Sequence, residues 1–304
     1  MTTVDRDSGG TRPDVVGWNV IFLLSGEITM EGIFDFQAVN SSAGLKTGYR
    51  KMRELIGICC FVLIFASPVR SQDGDKALSL FEDAVEAMGG EAFLNVRDMV
   101  SDGNYFIFNR DGASSPLIKF KDYTKLPDKS RHELGNKKKE LEITVFNLGK
   151  NEGWILEGQK DTRDATPDEM RDFKNAVKHS IETIFRYRYK DPDTKKFYLG
   201  PGTGSDVTLE MVKLVDPEND EVTVYIDRIT KLPVKIEFKN VTKKGVRQRV
   251  VNEFSNWHVI QGVNTPLRID GYANGRRAFQ QFIIHIEYNT NIPDSTFSKP
   301  VPPK

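Results

Sequence analysis

Groups able to carry covalent chemistry are few in this sequence, and they do not converge. No Gly-x-Ser-x-Gly nucleophile elbow occurs, and the only two cysteines, Cys59 and Cys60, sit side by side in the most apolar run of the chain. The four histidines, His132, His179, His258 and His285, lack the His-x-x-x-His spacing that lets a helix offer two ligands to one metal. Gly200-Pro-Gly-Thr-Gly-Ser205 is glycine-rich but has no Gly-Lys-Ser/Thr, so it reads as a turn and not a phosphate cradle. Asp191-Pro-Asp193 is an acidic pair without the repeated oxygen ligands of a calcium loop. The expectation is a protein that is not an enzyme and that needs no cofactor or metal.

Charge narrows the partners. Lys and Arg number 43 and so do Asp and Glu, so no net field recruits nucleic acid or an anionic surface. Lys137-Lys-Lys139 and Lys243-Lys244 fall at expected hairpin tips and read as solvated turns, with contact to anionic lipid headgroups or an acidic partner as the alternative.

The apolar run Leu55 to Ala66 is about a dozen residues, below the roughly 18–20 that cross a bilayer as a helix. Arg50, Lys51 and Arg53 precede it, and Val69 and Ser71 offer the −3 and −1 positions of a cleavage site before Gln72. Residues 52–71 therefore read as a signal peptide starting at Met52, and residues 1–51 as an over-extended start or a disordered tail. A lipoprotein signal is excluded, because Ile58 and Cys59 stand where a lipobox needs a small residue. The expected location is the periplasm, the alternative being an inner-membrane anchor through 55–66.

Residues 72–304 read as one domain. Ala77, Leu78, Phe81, Ala84, Val85 and Met88 have helical spacing, Asp75 is placed to cap, and Gly89-Gly90 ends the helix, with a further short turn over 91–96. From Met99 the pattern becomes short alternating segments between turn residues. Five strands are expected at 99–110, 116–123, 129–134, 141–148 and 153–157, and six more at 207–215, 221–227, 233–240, 248–258, 263–271 and 276–288. About eleven antiparallel strands exceed what a flat open sheet usually holds without curling, so the fold class is mainly β (α+β).

Between the two series, Thr166-Pro-Asp-Glu169 carries a capping-box signature with Pro at the first helical position. Met170, Phe173, Val177, Ile181 and Ile184 then form one apolar stripe. Such a stripe must be buried, either over the mouth of the curved sheet, as one wall of a ligand site, or on its back. The chain is 10% aromatic with 19 Phe, although its mean hydropathy is −0.44. A concave face would carry Phe106, Phe108, Phe120, Phe146, Trp154, Phe238 and Phe282, and with the stripe these are the candidate apolar-site residues. A filled core is the alternative for any one of them.

Several segments resemble the LolA/LolB-type lipoprotein-carrier superfamily. Gly149-Lys-Asn-Glu-Gly-Trp154 is similar to its Gly turn before a Trp-bearing strand, and Tyr225-Ile-Asp-Arg-Ile-Thr-Lys-Leu-Pro-Val234 to its strand, Asp-x-x-Thr-x-Leu-Pro turn, strand unit. Met88-Gly-Gly90, Gly262-Val-Asn-Thr-Pro266 and the late segment Asn291 to Pro300 also look like parts of such proteins. The resemblance implies a strongly curved, unclosed antiparallel barrel with helices over its mouth and a hydrophobic cavity. The implied role is carriage of lipid, acyl-chain or lipoprotein cargo, with an envelope protein as a further partner. A non-enzymatic envelope assembly or scaffold protein with a packed interior is the second expectation.

Overall fold

The computed structural model describes residues 72–206, 208–242 and 245–301. The expected signal peptide at 52–71, the segment 1–51 and the tip Lys243-Lys244 lie outside these residues. Helix α1 (Gln72–Ala87) begins with the first described residue, which puts Asp75 in its first turn, and α2 is the short turn Glu91–Leu94. Between them Gly89 has φ 120°, and a Cβ there would lie 2.3 Å from the Gly262 carbonyl oxygen. Only glycine lets the end of α1 seat this closely on a neighbouring turn.

Thirteen strands follow and form one antiparallel sheet. Those of the first meander are β1 (Asp98–Ile107), β2 (Ile118–Lys125), β3 (Lys129–Leu134), β4 (Glu142–Asn147), β5 (Glu152–Glu157) and β6 (Arg163–Asp164). The second contains β7 (Lys195–Pro201), β8 (Leu209–Val215), β9 (Glu221–Asp227), β10 (Pro233–Val241), β11 (Arg247–Ile260), β12 (Val263–Ala273) and β13 (Arg276–Tyr288). All eleven expected strands are present. The two additional ones, β6 and β7, are the edges of the sheet. β6 has only two residues, too few to show a period, and β7 ends in Gly200-Pro201, which sequence alone reads as loop.

Strand order is β6-β5-β4-β3-β2-β1-β13-β12-β11-β10-β9-β8-β7, so the meanders join only where β1 pairs with β13. The sheet is not closed into a barrel, since β6 and β7 do not pair. Helix α3 (Pro167–Lys178), α4 (Ile181–Thr183) and the π-turn Ile184–Arg188 make the connection from β6 to β7. On the inner face, where the helices pack, the largest core joins Phe81 and Ala84 of α1, and Met88 just after it, to Val212, Val224, Ile236 and Phe254 of the second meander. The outer face of the first meander is covered by Ile292 and Phe297 of the C-terminal segment, packed on Ile143, Val145 and Leu156.

The start of α3 bears out the capping box. Thr166 Oγ1 accepts from the Glu169 N–H, and the Glu169 carboxylate accepts from the Thr166 N–H at 2.7 Å. Arg163 grips the same carboxylate through two bonds of 2.9 Å, and these contacts hold it below the usual glutamate range although burial acts the other way. Thr166→Ala is expected to lower stability by about 1 kcal/mol in chemical denaturation, the usual worth of an N-cap. A loss under a few tenths would show the cap idle.

The expected single stripe is divided. His179 ends α3, and Ser180 turns extended and accepts from the Thr183 N–H to start α4. Met170, Phe173 and Val177 thus belong to one helix and Ile181 and Ile184 to the next. Phe173 stacks on Phe146 of β4 at 4.5 Å, whereas His179 stacks on Phe238 of β10 at 4.0 Å. Helix α3 therefore spans from one meander to the other. Its far end is fixed by Lys178, His179 and Arg188, which meet Asp216 and Asp220 in the β8–β9 turn. Burial raises the Asp220 pKa, but the His179 hydrogen bond and the three cations outweigh it and hold the carboxyl at about 2.

Candidate functional site

An internal cavity of about 160 Å³ lies on the inner face at the junction of the two meanders. Its floor is β1, β2, β12 and β13; its cover is Met88, Phe93 and Val96 around α2, with Ile181, Glu182 and Arg186 after α3. The hydrocarbon wall is mostly aliphatic, with Met99, Val263, Ile269, Ile283 and Ile286 alongside Trp257. Larger surface clefts, about 510 Å³ beside the start of α3 and 450 Å³ against α1, include solvated Arg171, Lys174, Lys190 and Asp75. They lack the apolar lining of the internal cavity.

Ser101, Asp122, Thr124 and Gln281 also line the cavity. Pairing explains their grouping: Ser101 of β1 faces Asp122 of β2, which faces His132 of β3, which faces Thr144 of β4. A polar row thus crosses the inner face of the first meander, and all four of its members are buried. His132 Nδ1 bonds the Asp122 carboxylate, and Gln281 Nε2 donates to Asp122 Oδ2 at 3.3 Å. Burial depresses the His132 pKa, yet the Asp122 charge and hydrogen bond, with Glu142 and Glu133 nearby, leave it raised. A raised folded pKa means that the stabilisation is full below about 6.5, the unfolded value, and is lost as pH rises through the folded value. Melting temperature should therefore fall between pH 6 and 9 in wild type and flatten in His132→Asn. Parallel pH profiles for the two proteins would refute this.

Arg186 is the basic group of the cavity, only 8% exposed. Its Nη1 donates to the Leu94 carbonyl at 2.7 Å and Val96 at 3.4 Å, and its Nη2 to the Phe93 carbonyl. The guanidinium lies 4.3 Å from the centre of the Phe93 ring. Burial pulls its pKa below the ordinary arginine value. Carbonyls at the end of α2 lack helical partners, and a cation there both bonds them and meets the negative end of the helix.

Of the expected site residues, Ile181 lines the cavity, and Ile184 is buried in the core beside it. Phe238 belongs to the same core, while Phe120 joins Tyr105, Leu134 and Phe279 in a neighbouring cluster. Phe146, Phe173, Met170 and Val177 pack together beneath α3. Trp154 packs on the outer face with Val145 and Ile292. Phe106 meets Phe282 edge-on at 6.1 Å, Arg268 covers Phe282, and Arg277 covers Phe108. Ile181 is the one lining residue that was expected; Asp122 and Gln281 are among those that sequence reasoning passed over. One signal was present for the first: in Ile118-Lys-Phe-Lys-Asp-Tyr-Thr-Lys125, an inward Phe120 requires an inward Asp122 and Thr124. Among the described residues, no group of three or more His, Cys, Asp or Glu is placed to hold a metal ion, and no helix is long and apolar enough to cross a membrane.

No protein-family model and no curated protein matches the sequence. Solved structures do match. A DUF1329 family protein from Desulfovibrio piger superposes with a TM-score of 0.51 at 12% identity, over 73% of this chain and 97% of that one. A LolA superfamily protein from Nitrosomonas europaea gives 0.48 at 14% identity, over 73% and 97% of the two chains. A putative outer membrane lipoprotein-sorting protein domain from Vibrio parahaemolyticus gives 0.47 at 12% identity, over 75% and 98%. At these identities the likeness is one of fold.

Proposed function

We propose that the protein is an exported, periplasmic binding protein for apolar ligands, holding part of a lipid, acyl chain or lipoprotein in the cavity between the meanders. The observation that carries this reading is the cavity itself, more apolar than polar in its lining and placed where α2 and the residues after α3 cover the sheet. Its 160 Å³ is close to the ~150 Å³ of an engineered apolar cavity that takes up benzene. About six carbons therefore fit without movement. At ~0.8 kcal/mol per methylene, six give ~5 kcal/mol, a dissociation constant on the order of 0.2 mM. Tighter binding requires the cover to open and admit more chain.

The test is titration of delipidated protein with an undecanoyl chain bearing a dansyl fluorophore. Saturable binding at or below about 0.2 mM supports carriage. No saturable binding would remove it and favour the second reading, an envelope scaffold with a packed interior. That reading draws on the core itself, in which Phe120, Phe146, Phe173 and Phe238 of the expected aromatic residues are buried in packed clusters.

A further inference from the structure

The two ends of the cavity differ in kind. Trp257, Glu182 and Asn264 at one end are partly exposed, whereas Ser101, Asp122 and Gln281 at the other are buried, Gln281 to 2%. Gln281 pairs with Ile269 and Ile269 with Phe254, so Trp257 lies two strands across and three register positions along. Strand spacing and rise put the two ends about 14 Å apart. An acyl chain inserted methyl-first would bring its methyl group to the polar end. Each end holds a buried group without a hydrogen-bond partner, a donor at Trp257 Nε1 and an acceptor at Gln281 Oε1, so the Gln281 end is the one that asks for a donor. The amide nitrogen is taken by Asp122 Oδ2, which leaves the amide oxygen as the open position.

We propose that the ligand binds headgroup first, placing a neutral hydrogen-bond donor, a hydroxyl or an amide N–H, on Gln281 Oε1, with its hydrocarbon running along the aliphatic wall of Ile269, Ile283 and Ile286 toward the helical cover. This deepens the carrier reading and rests on it. A carboxylate is the wrong head for this end, since it offers acceptors to an acceptor and brings a negative charge to Asp122. A hydrocarbon end is also wrong, because it leaves the buried amide oxygen unpaired. Sites built to hydrogen-bond a ligand discriminate strongly against analogues that lack the group.

Displacement of the dansyl undecanoyl probe by four compounds of similar size tests the proposal: 1-octanol, octanamide, dibutyl ether and octanoate. The two donors should displace the probe at concentrations at least tenfold lower than the ether or the carboxylate. In Gln281→Met, which keeps length and removes the amide, octanol, octanamide and the ether should fall within about twofold of one another, octanoate staying weaker because Asp122 remains, with melting temperature followed in parallel. In wild type, the Gln281 side-chain carbonyl resonance should shift on adding octanol and not on adding dibutyl ether, a readout that holds even if the variant does not fold. Equal displacement by all four with an unmoved resonance overturns the headgroup assignment and leaves the carrier reading standing. Absence of probe binding overturns both.

Discussion

Replacing Arg186 by methionine is expected to lower the stability of the domain by about 2–3 kcal/mol, a drop of roughly 5–10 °C in melting temperature for a domain of this size. The guanidinium holds the Phe93, Leu94 and Val96 carbonyls. Of these, the Phe93 carbonyl keeps a second partner in the Val96 N–H at 3.3 Å. The loss falls on the end of α2, whose remaining carbonyls would be buried without a donor. Methionine refills most of the volume, so the measured change reports the polar contacts and not a void. Arg186→Lys restores the charge but not the fork and should recover about half. A melting temperature within 2 °C of wild type for Arg186→Met would show that burying the cation costs as much as its bonds return.

The second large effect is on binding. Ile181→Phe pushes an aromatic ring into the cavity and should weaken the dansyl probe at least tenfold while the fold persists. Phe173→Leu, one helix earlier, should do the reverse. It loses the stacked contact with Phe146, worth about 1–2 kcal/mol with the lost volume, and leaves probe affinity within about twofold of wild type. Fluorescence titration beside thermal melting separates the two. Unchanged affinity in a folded Ile181→Phe protein would mean that the probe binds elsewhere.

The contrast between these residues marks how far sequence reaches. The meanders were legible because alternation and turn chemistry agree at almost every strand, as at Leu232 to Phe238, where Lys235 and Glu237 alternate with Ile236 and Phe238. The capping box was legible because its geometry is local. The division of the stripe at Ser180 was not, since a serine in a helical pattern can be solvated or can start a new helix, and tertiary packing decides. The cavity was less legible still. Strand β13 carries an irregularity between its pairings at Ile283 and His285, so Gln281 and Ile283 face inward and then Ile286 and Tyr288 do. A two-residue period carried across that point assigns the wrong face. Trp257 likewise follows Asn256, which has φ 57°. Counting aromatic residues identifies how much apolar surface there is to bury, not which side of the sheet buries it. Here the packed clusters took most of the aromatics and the space was left to aliphatic residues.

The pairing of β1 with β13 has a consequence for the order of events as the chain folds. Every other neighbour relation in the sheet joins strands consecutive in sequence, so each of those pairings closes a short loop. Met99 meets Tyr288 across nearly the whole described chain. Loop-closure entropy rises only slowly with length, but contacts this distant in sequence are the ones that slow folding. Two halves able to zip from local turns must therefore wait on one seam, and the cavity lies along that seam. A folding chain has no cavity until this last pairing forms, which makes the cavity a late feature and exposes both seam strands to wrong partners in the interval.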